Sequence, residues 1–295
     1  MNAFDYRAPR TLDEALAVLR EHGDEARVIA GGTALVTLMR QRLVRPSCLV
    51  SLRDVKGLDG IEAMNGAVRL GALVTHREAE TSPIVRERIP VLAETFRRVA
   101  SVRIRHMATI GGALAHADPN QDPPVTLLAL GASVQIRGAG GPRELPLGEF
   151  FRDYYESALE PGELVTGVTV PLLPAASGAT FVKFLPRTAD DYATVAVAAT
   201  VTVEPDGERC REARIALGSV GVTPLRARAA EALLAGERLG EDLLRAVGES
   251  VKGAVDPLTD HRGSAAYKRE MSAVMVGRAL TQAWEAARRS ARGAR

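Results

Sequence analysis

Two glycine pairs carry the chemistry that stands out most in this sequence. Gly111-Gly112 sits within Met107-Ala108-Thr109-Ile110-Gly111-Gly112-Ala113-Leu114-Ala115-His116-Ala117-Asp118-Pro119-Asn120-Gln121-Asp122-Pro123-Pro124, a stretch that leads through a proline-punctuated loop into the apolar run Val125 to Leu130. Adjacent glycines let main-chain N–H groups approach a ligand with no Cβ in the way, and a run of such groups makes a concavity suited to phosphate. Pro123 and Pro124 suit the first turn of the following helix, where a missing N–H costs little. The other pair, Gly31-Gly32, follows Arg27-Val28-Ile29-Ala30, which reads as a short buried strand. It precedes Thr33, which reads as the cap of a helix from Ala34 through Leu35 to about Arg42. Strand, glycine turn and helix start together place unpaired N–H groups at one spot. Neither Gly-x-Gly-x-x-Gly nor a P-loop is present, since no Gly-Lys-Ser/Thr follows. Two cradles suit a ligand with two phosphates; an ordinary tight turn is the alternative at each.

The elements that must position these turns belong to a chain of 295 residues, enough for two or three compact units. At 46% hydrophobic and 25% charged, it has the composition of an ordinary soluble globular protein. No apolar run is long enough to span a bilayer. Met1-Asn2-Ala3-Phe4-Asp5-Tyr6-Arg7 lacks the basic and apolar regions of a signal peptide, so the expected compartment is the cytoplasm. A net charge of +2 is too small to point to nucleic acid. The basic end, Arg288-Arg289-Ser290-Ala291-Arg292-Gly293-Ala294-Arg295, reads as a solvated, frayed tail. The only cysteines are Cys48 and Cys210; an iron–sulfur cluster usually takes four, so this chain alone should hold none, and both read as small core residues.

Thr11-Leu12-Asp13-Glu14 is a capping box opening a helix whose apolar face is Leu12, Ala15, Leu16 and Leu19 and which Gly23 stops. Cys48 to Leu52 reads as a strand, so the first unit is a small α/β arrangement. Val68 to Ala72 begins a second. There Thr75 caps a short helix with His76 in a surface or capping role, and Pro90 to Ala100 is a longer helix. Arg103, Arg105 and His106 read as a solvated loop, and Ser133 to Leu145 as a hairpin around Gly138 to Pro142. Leu164 to Pro171 alternates as a strand. Pro174 to Gly178 is the best domain boundary. Beyond it, Thr180 to Leu185, Thr194 to Val203 and Ala213 to Leu217 read as an antiparallel sheet of about three strands. Helices follow near 226–235, 240–254 and 265–288.

Five motifs in order then match one family: Ala30-Gly31-Gly32-Thr33; Ala108-Thr109-Ile110-Gly111-Gly112; Ala117-Asp118-Pro119-x-x-Asp122; Leu159-x-Pro161-Gly162-Glu163-Leu164; and Lys183-Phe184-x-x-Arg187-x-x-x-Asp191. From about Phe4 to Ala286 the chain resembles the FAD-binding medium subunit of the molybdenum hydroxylases, which includes carbon monoxide dehydrogenase flavoproteins and xanthine dehydrogenase FAD subunits. The resemblance implies an α+β chain. Residues 1–173 would be a two-subdomain α/β FAD-binding fold of the vanillyl-alcohol-oxidase type, split at about residue 57. Residues 178–288 would be a small domain with a three-stranded antiparallel sheet and a helical bundle, with 289–295 a basic tail.

It also implies a site. Val28-Ile29-Ala30-Gly31-Gly32-Thr33-Ala34-Leu35 and Ala108-Thr109-Ile110-Gly111-Gly112-Ala113 would hold the FAD pyrophosphate from opposite sides. Asp118 would belong to the same site, and Asp122 would hydrogen-bond the cofactor's sugar or ribityl hydroxyls. Leu164 and Val165 would meet the cofactor by shape and backbone. Lys183 would stand at the flavin's polar end and Tyr192 would cover the isoalloxazine. Relatives often carry a polar side chain where this chain has Ala34 and Ala113, so cofactor affinity is what the alanines touch. By the same resemblance, a large partner holds the molybdenum cofactor and a small partner carries two [2Fe–2S] clusters. This chain would pass electrons to NAD, a quinone or oxygen, with no side chain acting as an acid or base on the organic substrate. A self-contained flavin oxidase and an FAD-free assembly subunit are the rival readings.

Overall fold

The computed structural model describes residues 3–188 and 190–293. It opens with a small parallel sheet: β1 (Asp5–Arg7), β2 (Ala26–Ile29) and β3 (Cys48–Ser51), in the order β1-β3-β2. Thr11 caps α1 (Leu12–His22), but the expected capping box is only half formed, because the Glu14 carboxylate takes the Arg10 N–H at 2.8 Å instead of that of Thr11. Thr11 Oγ1 accepts the Glu14 N–H at 3.2 Å, Ala15, Leu16 and Leu19 face inward, and Gly23 closes the helix at φ 51°. A short helix, α2 (Leu35–Arg40), joins β2 to β3. The leading strand β1 escaped the sequence reading because it is three residues long and all exposed.

The second unit is an antiparallel sheet of β4 (Ile61–Met64), β5 (Ala67–Gly71), β6 (Ser133–Gly138), β7 (Gly141–Pro146) and β10 (Leu164–Pro171). Its order is β4-β5-β10-β6-β7. A minor hairpin, β8 (Phe151–Asp153) and β9 (Glu156–Ser157), precedes β10. Between β5 and β6 run the short helices α3 (His76–Thr81), α4 (Pro83–Arg88), α5 (Pro90–Arg97), α6 (Val102–Met107), α7 (Ile110–His116) and α8 (Asp122–Leu130). Every residue of α8 is buried. It packs against α5, where the Thr95 and Thr126 hydroxyls bond at 2.7 Å, and against the sheet of the third unit.

That third sheet has four antiparallel strands, not three: β11 (Ser177–Phe184), β12 (Val195–Val203), β13 (Cys210–Gly218) and β14 (Leu225–Arg226), paired in sequence order. The two-residue β14 is too short to show a strand period. It is followed by α9 (Arg228–Ala232), α10 (Glu241–Ala254) and α11 (Ala265–Gly293). Contrary to the frayed tail expected, α11 continues through the basic segment to Gly293. Its inward stripe of Met275, Val276, Ala279, Leu280, Ala283, Trp284 and Ala287 is extended by Ala291, so the final turns still have a surface to lie on. One hydrophobic core is shared across the units, joining Leu92, Phe96, Val125 and Val168 to Phe181, Ala196, Ala198 and Ala216. Cys48 and Cys210 are both buried and free. Among the described residues no helix is long and apolar enough to cross a membrane.

Candidate cofactor site

The first glycine turn leaves β2 on the edge of its sheet; the short strand expected here forms, but Val28, Ile29 and the run Ala30 to Leu35 are half-buried rather than buried. Nor does Thr33 cap α2. Ala34 occupies that position without a side-chain hydrogen bond, and the Thr33 carbonyl instead accepts the Thr37 hydroxyl at 3.3 Å. Among the described residues, no acceptor pairs the main-chain N–H groups of Gly31, Gly32, Thr33, Ala34 or Leu35. Gly32 turns at φ 72°. Gly31 is glycine for a harder reason: a Cβ there would lie 1.7 Å from the Met107 carbonyl oxygen.

The second glycine pair does a different job from the one expected. Thr109 caps α7 by accepting the Gly112 N–H at 3.1 Å. Ile110 donates to the Val74 carbonyl at 3.0 Å, Gly111 to that of Ala72 at 2.8 Å, and Ala113 to that of Thr109 at 2.9 Å. These N–H groups are all taken, so this segment is no donor cradle. Its glycines permit close packing: a Cβ on Gly111 would meet the Ala72 Cβ at 2.6 Å. Gly112 is exposed, and a Cβ there would sit 3.9 Å from that of Ala30. The two segments therefore meet where Gly31 lies against the Met107 carbonyl, with Gly112 facing Ala30 across a gap that a side chain would fill.

Asp122 is the first residue of α8, with Gln121 before it as N-cap, so the N-cap reading of Asp122 falls. Its Oδ2 takes the Lys183 ammonium at 2.8 Å; the side chains are only 4% and 2% exposed. Lys183 Nζ also donates to the Arg98 carbonyl at 2.9 Å. This lysine is not the exposed strand lysine that alternation allowed. Asp122 Oδ1 is buried with no partner. Burial pushes the Asp122 pKa up to about 6, against the pull of Lys183 and Arg98. An acceptor buried without a donor is costly, so the Asp122 carboxylate is satisfied at only one of its two oxygens.

At the far end of α7, Asp118 is buried and accepts the Asn120 main-chain and side-chain N–H groups at 2.9 and 3.0 Å. Tyr192 is half exposed; partial burial and the neighbouring Asp118 carboxylate push its hydroxyl pKa up. Tyr155 stands nearby, its ring tilted at 48° against that of His116 with centroids 5.1 Å apart, and the Arg262 guanidinium lies 5.9 Å over the Tyr192 ring. Seven residues of helix separate this mouth from the glycine surface by about 10 Å, so a ligand reaching both must be long. Leu164 and Val165 are core residues, the first packed with Ala15 and Leu16 and the second in the shared core, beside a bulge before Gly167.

Two expectations near the site are overturned. His76 is 3% exposed, packed on Phe96 with neither ring nitrogen bonded, while Thr75 does form the capping box. Arg103, Arg105 and His106 lie on α6, and Arg105 is anchored by Glu80 at 2.9 Å and by the Val99 and Ala100 carbonyls. Tyr155 and Arg262 went unread because neither lies in a motif; folding alone brings them to Tyr192.

Five free N–H groups in a row, a close approach open only to glycine, and an orphaned buried acceptor on Asp122 suit a cofactor with a diphosphate and a hydroxylated chain. Comparison with known proteins agrees. A family described as "FAD binding domain in molybdopterin dehydrogenase" matches residues 2–173, and one described as "CO dehydrogenase flavoprotein C-terminal domain" matches residues 180–283. The chain is 38% identical to the 6-hydroxypseudooxynicotine dehydrogenase complex subunit alpha of Paenarthrobacter nicotinovorans, over 97% of this chain and 96% of that one. It is 36% identical to the carbon monoxide dehydrogenase medium chain of Afipia carboxidovorans, over 95% and 96%. Its fold matches a chain of reconstituted CO dehydrogenase from Oligotropha carboxidovorans with a TM-score of 0.93 at 35% identity, covering 97% of this chain and 99% of that one.

The fold and site thus define a flavin-binding oxidoreductase subunit whose cofactor is FAD. Within that class, the chain belongs to the FAD-binding medium subunits of the molybdenum hydroxylases.

Proposed function

We propose that this chain carries electrons within a molybdenum hydroxylase complex, receiving them from [2Fe–2S] clusters of a small partner and releasing them to NAD, a quinone or oxygen. A large partner would hold the molybdenum cofactor and oxidise the organic substrate. The observation that carries this reading is the run of unpaired N–H groups from Gly31 to Leu35, pinned to the second glycine segment by Gly31. FAD, when bound, supplies the redox chemistry. The remaining work belongs to this chain's residues. The N–H groups from Gly31 to Leu35 bind the diphosphate, and the surface from Ala108 to Ala113 backs it. Asp122 Oδ1 accepts a cofactor hydroxyl, with Lys183 as its counter-ion. Tyr192 covers the flat ring beside Asp118, and Leu164 and Val165 support the cofactor through backbone and shape.

Support for the partners comes from the relatives, which are named as a medium chain or as one subunit of a dehydrogenase complex. The test is a pair of measurements. The purified chain should show flavin absorption and release FAD, and a complex lacking it should oxidise substrate without reducing the acceptor. A folded chain that stays colourless with excess FAD, or a complex that keeps full acceptor activity without it, would overturn the proposal.

A further inference from the structure

The loop between α10 and α11 reaches from the helical layer to the mouth of the site, and its interior is more tightly tied than a connection requires. Asp260 accepts three times from Arg262: from the main-chain N–H at 2.8 Å, from Nε at 3.0 Å and from Nη2 at 2.7 Å. The same carboxylate takes the Lys268 ammonium at 2.8 Å; Lys268 is 2% exposed and also donates to the Leu258 carbonyl. Against the cost of burial, these Lys268 and Arg262 hydrogen bonds hold Asp260 well below the usual carboxylate range. The loop closes on itself through paired main-chain bonds between Asp260 and Gly263, both at 3.1 Å. Gly263 has φ +147°, and a Cβ there would lie 2.9 Å from the Tyr267 ring, so the closure needs glycine. The Arg262 carbonyl accepts the Thr194 hydroxyl at 3.2 Å, two residues past Tyr192. What this rigid loop presents is one guanidinium, 11% exposed, over the Tyr192 ring at a distance typical of a cation on an aromatic face.

We propose that Arg262 is a positioning residue for Tyr192: held by Asp260, it fixes the ring at the mouth of the cofactor site, so that the C-terminal domain sets how open that mouth is to the electron acceptor. The ring is then held from two sides, with the cation of one domain over its face and the Asp118 carboxylate of the other beside it. Arg262 touches no reacting atom; it acts through Tyr192. The consequence for the acceptor rests on the reading that Tyr192 covers the flavin, but the clamp itself does not.

The test separates the two. Hydroxyl-radical footprinting of the full chain reads the accessibility of Tyr192, with Tyr6 on β1 as internal reference. Tyr192 is already 50% exposed, so Arg262→Gln should raise its oxidation by up to about twofold, with Tyr6 unchanged. Arg262→Lys, which keeps the cation and loses the fork to Asp260, should fall between that variant and the parent. Should Arg262→Gln fail to fold, Asp260→Asn loosens the same fork while keeping an acceptor for the Arg262 amide, and should show the same rise. Unchanged Tyr192 oxidation in a folded Arg262→Gln chain, or in folded Asp260→Asn, would overturn the clamp. In the FAD-loaded chain, flavin fluorescence should rise severalfold with Arg262→Gln as the ring moves away. Raised Tyr192 oxidation with unaltered flavin fluorescence would support the clamp and remove Tyr192 from the flavin.

Discussion

Gly31 is the residue on which the site depends most directly. A Cβ there would fall inside the Met107 carbonyl, and overpacking of this kind costs ~1–3 kcal/mol or more. Gly31→Ala should therefore push the two glycine segments apart and weaken FAD retention by about tenfold or more, read by the ratio of flavin to protein absorbance after gel filtration. Asp122→Ala should cost about 3–5 kcal/mol in unfolding free energy, because it leaves the Lys183 ammonium buried and unpaired; denaturant titration of the FAD-free chain measures it. His76 gives a pH signature. Burial, with the Arg105 charge, lowers its pKa to about 4, so the unfolded chain binds the proton more readily at pH values between about 4 and 6.5. Stability from this group is fully present above pH 6.5 and is lost as the pH falls toward 4, by ~3 kcal/mol in all. His76→Leu should flatten that slope without loss at pH 7, since neither ring nitrogen has a partner to lose.

Elements with chemical punctuation could be read from the chain. Thr11, Thr75 and Gly23 announced helix ends, and alternation announced β10 and β12 with bounds that agree closely with those observed. Elements made by their surroundings could not. β1 and β14 are strands because partners lie beside them, and α11 outlasts its polar sequence because Ala291 still finds a surface. The site divides the same way. The glycine segments and Asp122, Lys183 and Tyr192 were nameable one by one. That Asp122 and Lys183 are each other's partner across 61 residues, and that the second glycine segment spends its N–H groups on Ala72 and Val74, are facts of packing. The contact of β11 with α11 makes a prediction at this scale. A Cβ on Gly178 would lie 2.2 Å from the Ala283 carbonyl oxygen, so Gly178→Ala should lift the helix from the sheet and lower the melting temperature by several degrees, visible by calorimetry.

Taken whole, the chain is two family domains by sequence and one folded body by contact. The matches end at residue 173 and resume at 180, yet α8 of the first is buried against β12 and β13 of the second. A Cβ on Gly218 would meet Val125 at 2.5 Å, and Phe181, Ala196, Ala198 and Ala216 share a core with Leu92 and Phe96. The all-buried α8 therefore sets a rule for recombination between relatives. A C-terminal domain grafted from another family member must bring a face that fits Val125 and its neighbours, or the hybrid will hold an open seam through its core. The seam, rather than the linker at Pro174 to Ala176, is where such chimaeras should succeed or fail, and exchanging α8 together with the sheet it covers is the graft expected to survive.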